Sequence, residues 1–316
     1  FLLEMRLDMA EFTVLVPFSN IAWRVALSSA VAGAFSSGLV ALLASRGSSM
    51  FLESVEELKG IDRRWENALC MATGYVAGML IGFNGFMWSQ AVIVEVYPFS
   101  LLSFMFMMVF LLRWIHAPSQ MRYAYWALFF FGISFTNHQT LILAAMGIEV
   151  AIAAADRKLG RDLFLWNSII FVVGLVLFAG GHLQALAGNK PLFRIYIVIG
   201  LASIAACVVL AMQTEGLGSH VFHAFCLGMC WALGALFYFF MPVASATNPP
   251  MNWGYARTWE GFVHAFTRGQ YERTNPTTSW DRFFDQMNLL FTGAVEEFNL
   301  VYLFLALIPF VFFLRM

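Results

Sequence analysis

The sequence predicts an all-α protein, a polytopic bundle of transmembrane helices, and three observations carry that expectation. Hydrophobic residues make up 60% of the chain and charged residues only 12%. A soluble domain carries about 25% charged residues, so no fully wetted surface can be built from this chain. Apolar runs of the length that crosses a bilayer, about 20 residues, recur from end to end. Polar residues gather in short islands between those runs, with one long island at 243–297.

The runs at 21–43, 67–87, 97–115, 164–182, 194–212, 220–242 and 298–315 each read as one span. The stretch 123–155 is too long for one span, and Asn137-His138-Gln139-Thr140 interrupts it between Phe129-Phe130-Phe131 and Leu141-Ile142-Leu143. It reads as a hairpin of two helices with the polar quartet at the turn, giving about nine membrane helices. The expected organisation is a bundle at 1–242, an outer loop at 243–297 with a short amphipathic helix, and a further membrane helix at 298–316. The chain starts at Phe1 and stops straight after an apolar run. It reads as a piece of a longer protein, lacking an N-terminal span and the first outer loop.

Positive residues set the orientation. Arg46, Lys59, Arg63 and Arg64 mark one loop, Arg113 and Arg122 a second, and Arg157, Lys158 and Arg161 a third. With these on the cytoplasmic side, alternation puts 88–96, 137–140, 183–193 and 243–297 outside. Arg257, Arg268, Arg273 and Arg282 then lie outside against the rule, which long loops obey less strictly. A net charge of −1 and the absence of a basic tract give no indication of a nucleic-acid partner. Cys70, Cys207, Cys226 and Cys230 all sit in apolar segments and read as small buried hydrophobes, so no metal site is expected.

Three islands are suited to chemistry. Glu95 stands in an apolar run seven residues after Trp88, so the two are expected to share a helix face. An ionisable residue at membrane depth is costly and is a functional candidate for that reason; an interfacial Glu flanked by belt aromatics is the plainer reading. The quartet with Asn137 and His138 is tolerated at depth only inside protein or beside a watery cavity. It suits either phosphate contact or simple capping of loose backbone groups. In the outer loop, Pro249 and Pro250 enforce an extended approach to Trp253 and Gly254. Thr258 then N-caps a helix carrying Trp259, Phe262, Val263 and Phe266, closed by Gly269. Arg257, Arg268 and Tyr271 flank that helix; guanidinium forks suit phosphate oxygens and an aromatic face suits a sugar ring. Glu149 is a candidate buried partner for an arginine, and His220 and His223 read as solvated residues at the start of a span.

Four stretches in order resemble one family. They are Ser19-Asn20-Ile21-Ala22-Trp23-Arg24-Val25, Trp88-Ser89-Gln90-Ala91 through Tyr97, Gly132 through Thr140, and Pro250-Met251-Asn252-Trp253-Gly254 with Thr267-Arg268-Gly269-Gln270-Tyr271. Together they look like the bacterial multi-pass membrane family related to protein O-mannosyltransferases, glycosyltransferases of the GT-C superclass. The resemblance implies a GT-C-like helix bundle in the bacterial plasma (inner) membrane with its active face extracytoplasmic. It implies transfer of a sugar such as mannose from a polyprenyl-phosphate donor to a protein or glycan acceptor, by an inverting displacement with a carboxylate as base. Glu95, Asn137, His138, Trp253, Arg257, Arg268 and Tyr271 would bind substrate, with membrane lipid around them and no cofactor beyond the lipid-linked donor. The family's acidic motif, an Asp with a nearby Gly-Glu followed by His-Pro-Pro-Gly, is not found here, so the catalytic base is expected upstream of Phe1 and this piece alone is expected to be inactive. The alternative is a transporter or flippase for a lipid-linked or anionic solute, for which the broken 123–155 stretch would supply a midplane site.

Overall fold

The protein is described by a computed structural model covering residues 16, 20–54, 60–93, 95–183, 190–248, 255–267 and 279–313. Among these the secondary structure is helical throughout, and the architecture is the all-α polytopic bundle the sequence predicts. Six helices are long and apolar enough to cross a membrane, or seven if one bent pair counts as a span. The chain divides into two units, residues 1–105 with 276–316, and residues 106–275.

In the first unit, α1 (Ile21–Ser54) packs along α2 (Arg63–Gly82). At 1.5 Å per residue its 34 residues extend about 50 Å, well beyond a hydrocarbon core of about 30 Å. The expected end at residue 43 is therefore overrun. Ala44–Ser49 holds no proline, the helix runs on through Gly47, and Ser48 Oγ donates back to the Ala44 carbonyl at 2.8 Å. The α1–α2 seam is made by small residues at four-residue spacing. A Cβ on Gly74 would lie 2.7 Å from the Ala41 carbonyl, on Gly78 3.1 Å from the Ser37 carbonyl, and on Gly82 3.0 Å from Ser37 Oγ. Lipid gives helices no hydrophobic reason to associate, so such close backbone approach is what holds them.

Asn84 ends that run and starts α3 (Gly85–Val92), its side chain accepting from Met87 N at 2.9 Å. The axis bends by 60° between α2 and α3, so the expected span at 67–87 is a broken pair. Helix α4 (Tyr97–His116) is pinned to α1 by Ser36 Oγ, which donates to the Pro98 carbonyl at 3.4 Å. The last helix of this unit, named α12 below, is Trp280–Phe313, interrupted at Asn299 (φ 62°, ψ 147°). It starts 18 residues before the expected span at 298 because Trp280, Phe283, Phe284, Met287 and Phe291 recur at helical spacing among polar residues.

In the second unit, α5 (Met121–Asn137) ends at the polar quartet, a 3-10 turn covers Gln139–Ala144, and α6 (Ala145–Ala155) follows. The break falls where the sequence places it. Its two arms do not form a packed hairpin: α5 pairs with α9 (Val221–Ala235), and α6 with α7 (Arg157–Ala179). The reason is glycine. A Cβ on Gly132 would lie 2.2 Å from the Trp231 carbonyl, and one on Gly234 2.2 Å from the Phe129 carbonyl, so α5 and α9 touch backbone to backbone. Helix α8 (Lys190–Gln213) lies on α7, with Tyr196 Oη donating to the Phe171 carbonyl at 2.7 Å. A 3-10 turn at Leu236–Phe239 leads from α9 into α10 (Phe240–Ala246), and α11 (Trp259–Phe266) completes the unit.

Three sequence readings change here. Arg161 is not a loop charge: it is 1% exposed and paired with Asp162 at 2.7 Å. Together they clamp the α8–α9 connection. Arg161 donates to Thr214 Oγ1, Ser219 Oγ and the Gly216 carbonyl, while the Asp162 carboxylate accepts from Gly218 N and His220 N. Of the three positive residues read as one loop marker, Arg157 and Lys158 remain. Glu149 pairs with Asn167 (2.8 Å) rather than with an arginine. His223 Nδ1 meets Tyr125 Oη at 2.7 Å, a half-buried partner where solvent was expected.

Candidate functional site

The second unit gathers most of the described candidates around one junction. Helix α5 stops because His138 turns extended (φ −143°, ψ 104°). Thr136 Oγ1 donates to the Ile133 carbonyl at 2.7 Å and to Asn137 Oδ1 at 3.2 Å. Thr136 and Asn137 are both buried at the end of the helix. His138 Nδ1 is hydrogen-bonded to Thr140 Oγ1, which sets the ring's orientation. Two side chains then tie this break to α11. Gln139 Nε2 donates to the Phe266 carbonyl at 2.7 Å, satisfying one of the carbonyls that a helix C-terminus leaves open. Tyr238, from the 3-10 turn, donates to the Phe135 carbonyl at 3.1 Å and sets its ring edge-on to Phe266, centroids 4.9 Å apart.

Helix α11 has the predicted start: Thr258 Oγ1 accepts from Gly261 N at 3.1 Å. It ends at Phe266, with Thr267 as its cap; Gly269, expected to close it, lies outside the described residues. Phe262 and Ala265 are buried, Phe262 stacking on Phe239 at 5.4 Å. Just before the helix, Arg257 is anchored by its backbone N–H to Ser245 Oγ (3.1 Å) and by Nη1 to Asn248 Oδ1 (2.5 Å). Its guanidinium lies 6.0 Å from the Tyr255 ring centroid. Asn248 and Tyr255 both adopt φ 47°, an unusual conformation that asparagine tolerates and tyrosine adopts at some strain. Arg257 is thus held at one end of α11 and the polar break at the other. Trp253, Arg268 and Tyr271 lie outside the described residues.

Glu95 belongs to the first unit. Ser29 Oγ donates to its backbone carbonyl at 3.3 Å, and its Oε2 is buried with no hydrogen-bond partner. The shared helix face with Trp88 does not exist. Helix α3 stops at Val92 and Ile93 is extended, as suits a β-branched run ahead of Pro98. Trp88 stacks instead on Phe83 at 5.6 Å. Tyr238 and Ser245 are the junction residues that the sequence does not single out, and Gln139 stands out there only as a member of the polar quartet. Tyr238 sits in Leu236-Phe237-Tyr238-Phe239-Phe240, where one hydroxyl is easily passed over. Among the described residues, no three His, Cys, Asp or Glu side chains are grouped to hold a metal ion.

Residues 5–159 match the family described as the Protein O-mannosyl-transferase TMEM260 N-terminal domain. The match supports a relation to O-mannosyltransferases and so to glycosyltransferases of membranes. It takes in Glu95, Asn137, His138 and the whole helix break, and stops before Arg257 and α11. No curated protein and no solved structure matches the chain.

Proposed function

We propose that this chain acts as a membrane-embedded glycosyltransferase of the GT-C type. It moves a sugar, mannose in the first instance, from a polyprenyl-phosphate donor to a protein or glycan acceptor outside the cytoplasm, with inversion at the anomeric carbon. The observation that carries the reading is the O-mannosyltransferase match over 5–159, which includes the α5 break. The tie from Gln139 to Phe266 adds the geometry, bringing that break to the foot of an apolar helix with an arginine at its head.

In this reading Arg257 takes the lipid phosphate. Its planar fork suits phosphate oxygens, and charge held there favours the departing anion. His138, oriented by Thr140, contributes a hydrogen bond to the same group or to the sugar. Glu95 lies in the first unit and is a separate candidate: its carboxylate oxygen lacks a hydrogen-bond partner and suits a sugar hydroxyl. Trp253, Arg268 and Tyr271 are proposed to complete the donor side. No residue of this chain is assigned as the base that deprotonates the acceptor. The resemblance implies the bacterial plasma membrane, and the expected alternation of Arg- and Lys-bearing loops puts the reacting face outside.

The test is transfer of labelled mannose from polyprenyl-phosphate mannose in membranes holding the full-length protein. Arg257→Ala, His138→Ala and Glu95→Gln are each expected to lower turnover by about tenfold or more, the scale of a lost hydrogen bond to a charged group. Full turnover in Arg257→Ala and His138→Ala would remove the proposed site, and full turnover in Glu95→Gln would remove the separate role of that carboxylate. A flippase is the second reading, favoured by the 60° break between α2 and α3. It predicts movement of the lipid-linked sugar across vesicles with the sugar–phosphate bond intact.

A further inference from the structure

Helix α11 carries more apolar surface than the protein covers. At 100° per residue, Trp259, Phe262, Val263, Ala265 and Phe266 fill about 160° of its circumference. Phe262 and Ala265, at one side of that arc, are buried, Phe262 against Phe239. Trp259, Val263 and Phe266, at positions i, i+4 and i+7, form the other side and are 71%, 38% and 37% exposed. Glu260, His264 and Thr267 take the polar sector beyond them. The exposed stripe runs about 10 Å along the axis. It begins two residues after Arg257, whose guanidinium is held by Asn248, and ends at Phe266, whose carbonyl takes the Gln139 amide.

A cation at the head of a narrow apolar track complements one kind of molecule: an anionic headgroup on a single long hydrocarbon chain. We infer that the exposed stripe Trp259–Val263–Phe266 is the track for the isoprenoid chain of the lipid phosphate donor, entered from its phosphate end at Arg257. This rests on the proposed donor chemistry and deepens it, making α11 the element that reads the lipid rather than the sugar. Phe262 and Tyr238 set the track's position by packing from beneath. Trp259, the most exposed of the three and nearest the phosphate, meets the first isoprene units.

The experiment uses a polyprenyl phosphate with a diazirine in the isoprene unit next to the phosphate, photolysed in membranes containing the protein. Labelled residues are then mapped by mass spectrometry. Label is expected on Trp259 or Val263, displaced by unlabelled polyprenyl phosphate and not by inorganic phosphate. Arg257→Ala is expected to lower it about tenfold or more. Donor turnover adds a second readout. Trp259→Ala raises KM for a long-chain donor and leaves KM for a short, water-soluble donor near its starting value. Equal labelling by a diazirine phosphatidylcholine, undisplaced by polyprenyl phosphate, would make α11 an ordinary interfacial helix and overturn the inference. So would the absence of label from α11. Sugar transfer with α11 unlabelled defeats the track alone; displaceable label without any transfer defeats the glycosyltransferase reading alone.

Discussion

Gly132→Ala tests how the candidate site is held. The new Cβ would lie 2.2 Å from the Trp231 carbonyl oxygen and 2.9 Å from both Ala235 N and Gly234 Cα. An ordinary contact needs about 3.4 Å, and every atom in the way is backbone, so no flexible side chain can yield. Helices α5 and α9 must part by about 1 Å, enough to forfeit a quarter to a half of each van der Waals contact along the seam. Overpacking of this kind costs about 1–3 kcal/mol, and contact with backbone on one side argues for the upper end. Alanine returns about 0.5–1 kcal/mol of helix propensity. The net expectation is a loss of about 2 kcal/mol, roughly 30-fold in the unfolding equilibrium. Reversible unfolding in mixed detergent micelles, followed by tryptophan fluorescence, measures it. Gly228→Ala is the internal control, on the same α9 with nothing within 4 Å of the new methyl, and is expected to be neutral or stabilising. Equal shifts in the two variants would show that the seam is not backbone-tight and refute the reasoning.

Other predictions follow from the same contacts. Asp162→Ala strands a buried guanidinium and the amides of Gly218 and His220, so a loss of about 3–5 kcal/mol is expected, read as faster proteolysis within 213–220. Tyr238→Phe keeps the ring on Phe266 and removes the hydrogen bond to the Phe135 carbonyl, for about 1 kcal/mol in the same unfolding assay. Gln139→Leu frees the Phe266 carbonyl and is expected to raise KM for the donor several-fold while changing stability by about 1 kcal/mol or less. A large stability loss with unchanged KM would assign Gln139 to the scaffold alone.

The bundle was legible because hydropathy reports burial in lipid directly: no other fold suits a chain with this few charges. Local polar chemistry was legible too, since Thr258 as a cap and the break after Asn137 depend on adjacent residues. What the sequence concealed depends on partners distant in the chain. Arg161 looked like a topology marker because its partners at 214–219 are more than fifty residues away. Gly132 and Gly234 look like any membrane glycines until they face each other. The Trp88–Glu95 pairing failed because the helix was assumed to continue through Ile93, where β-branched residues and the approach to Pro98 favour extended backbone. The start of α12 was missed because its first half mixes polar residues into the apolar stripe, so a window tuned to spans overlooks it.

The most direct measurement of the central claim is mannose transfer from polyprenyl-phosphate mannose by the full-length protein in membranes, wild type against Arg257→Ala. Gly228→Ala serves as the folded control. The account predicts that Arg257→Ala lowers kcat/KM by about tenfold or more at unchanged protein level and unfolding midpoint, while Gly228→Ala transfers as the wild type does. Wild-type turnover in Arg257→Ala would contradict it, because the junction of α11 with the polar break would then be structure without a donor.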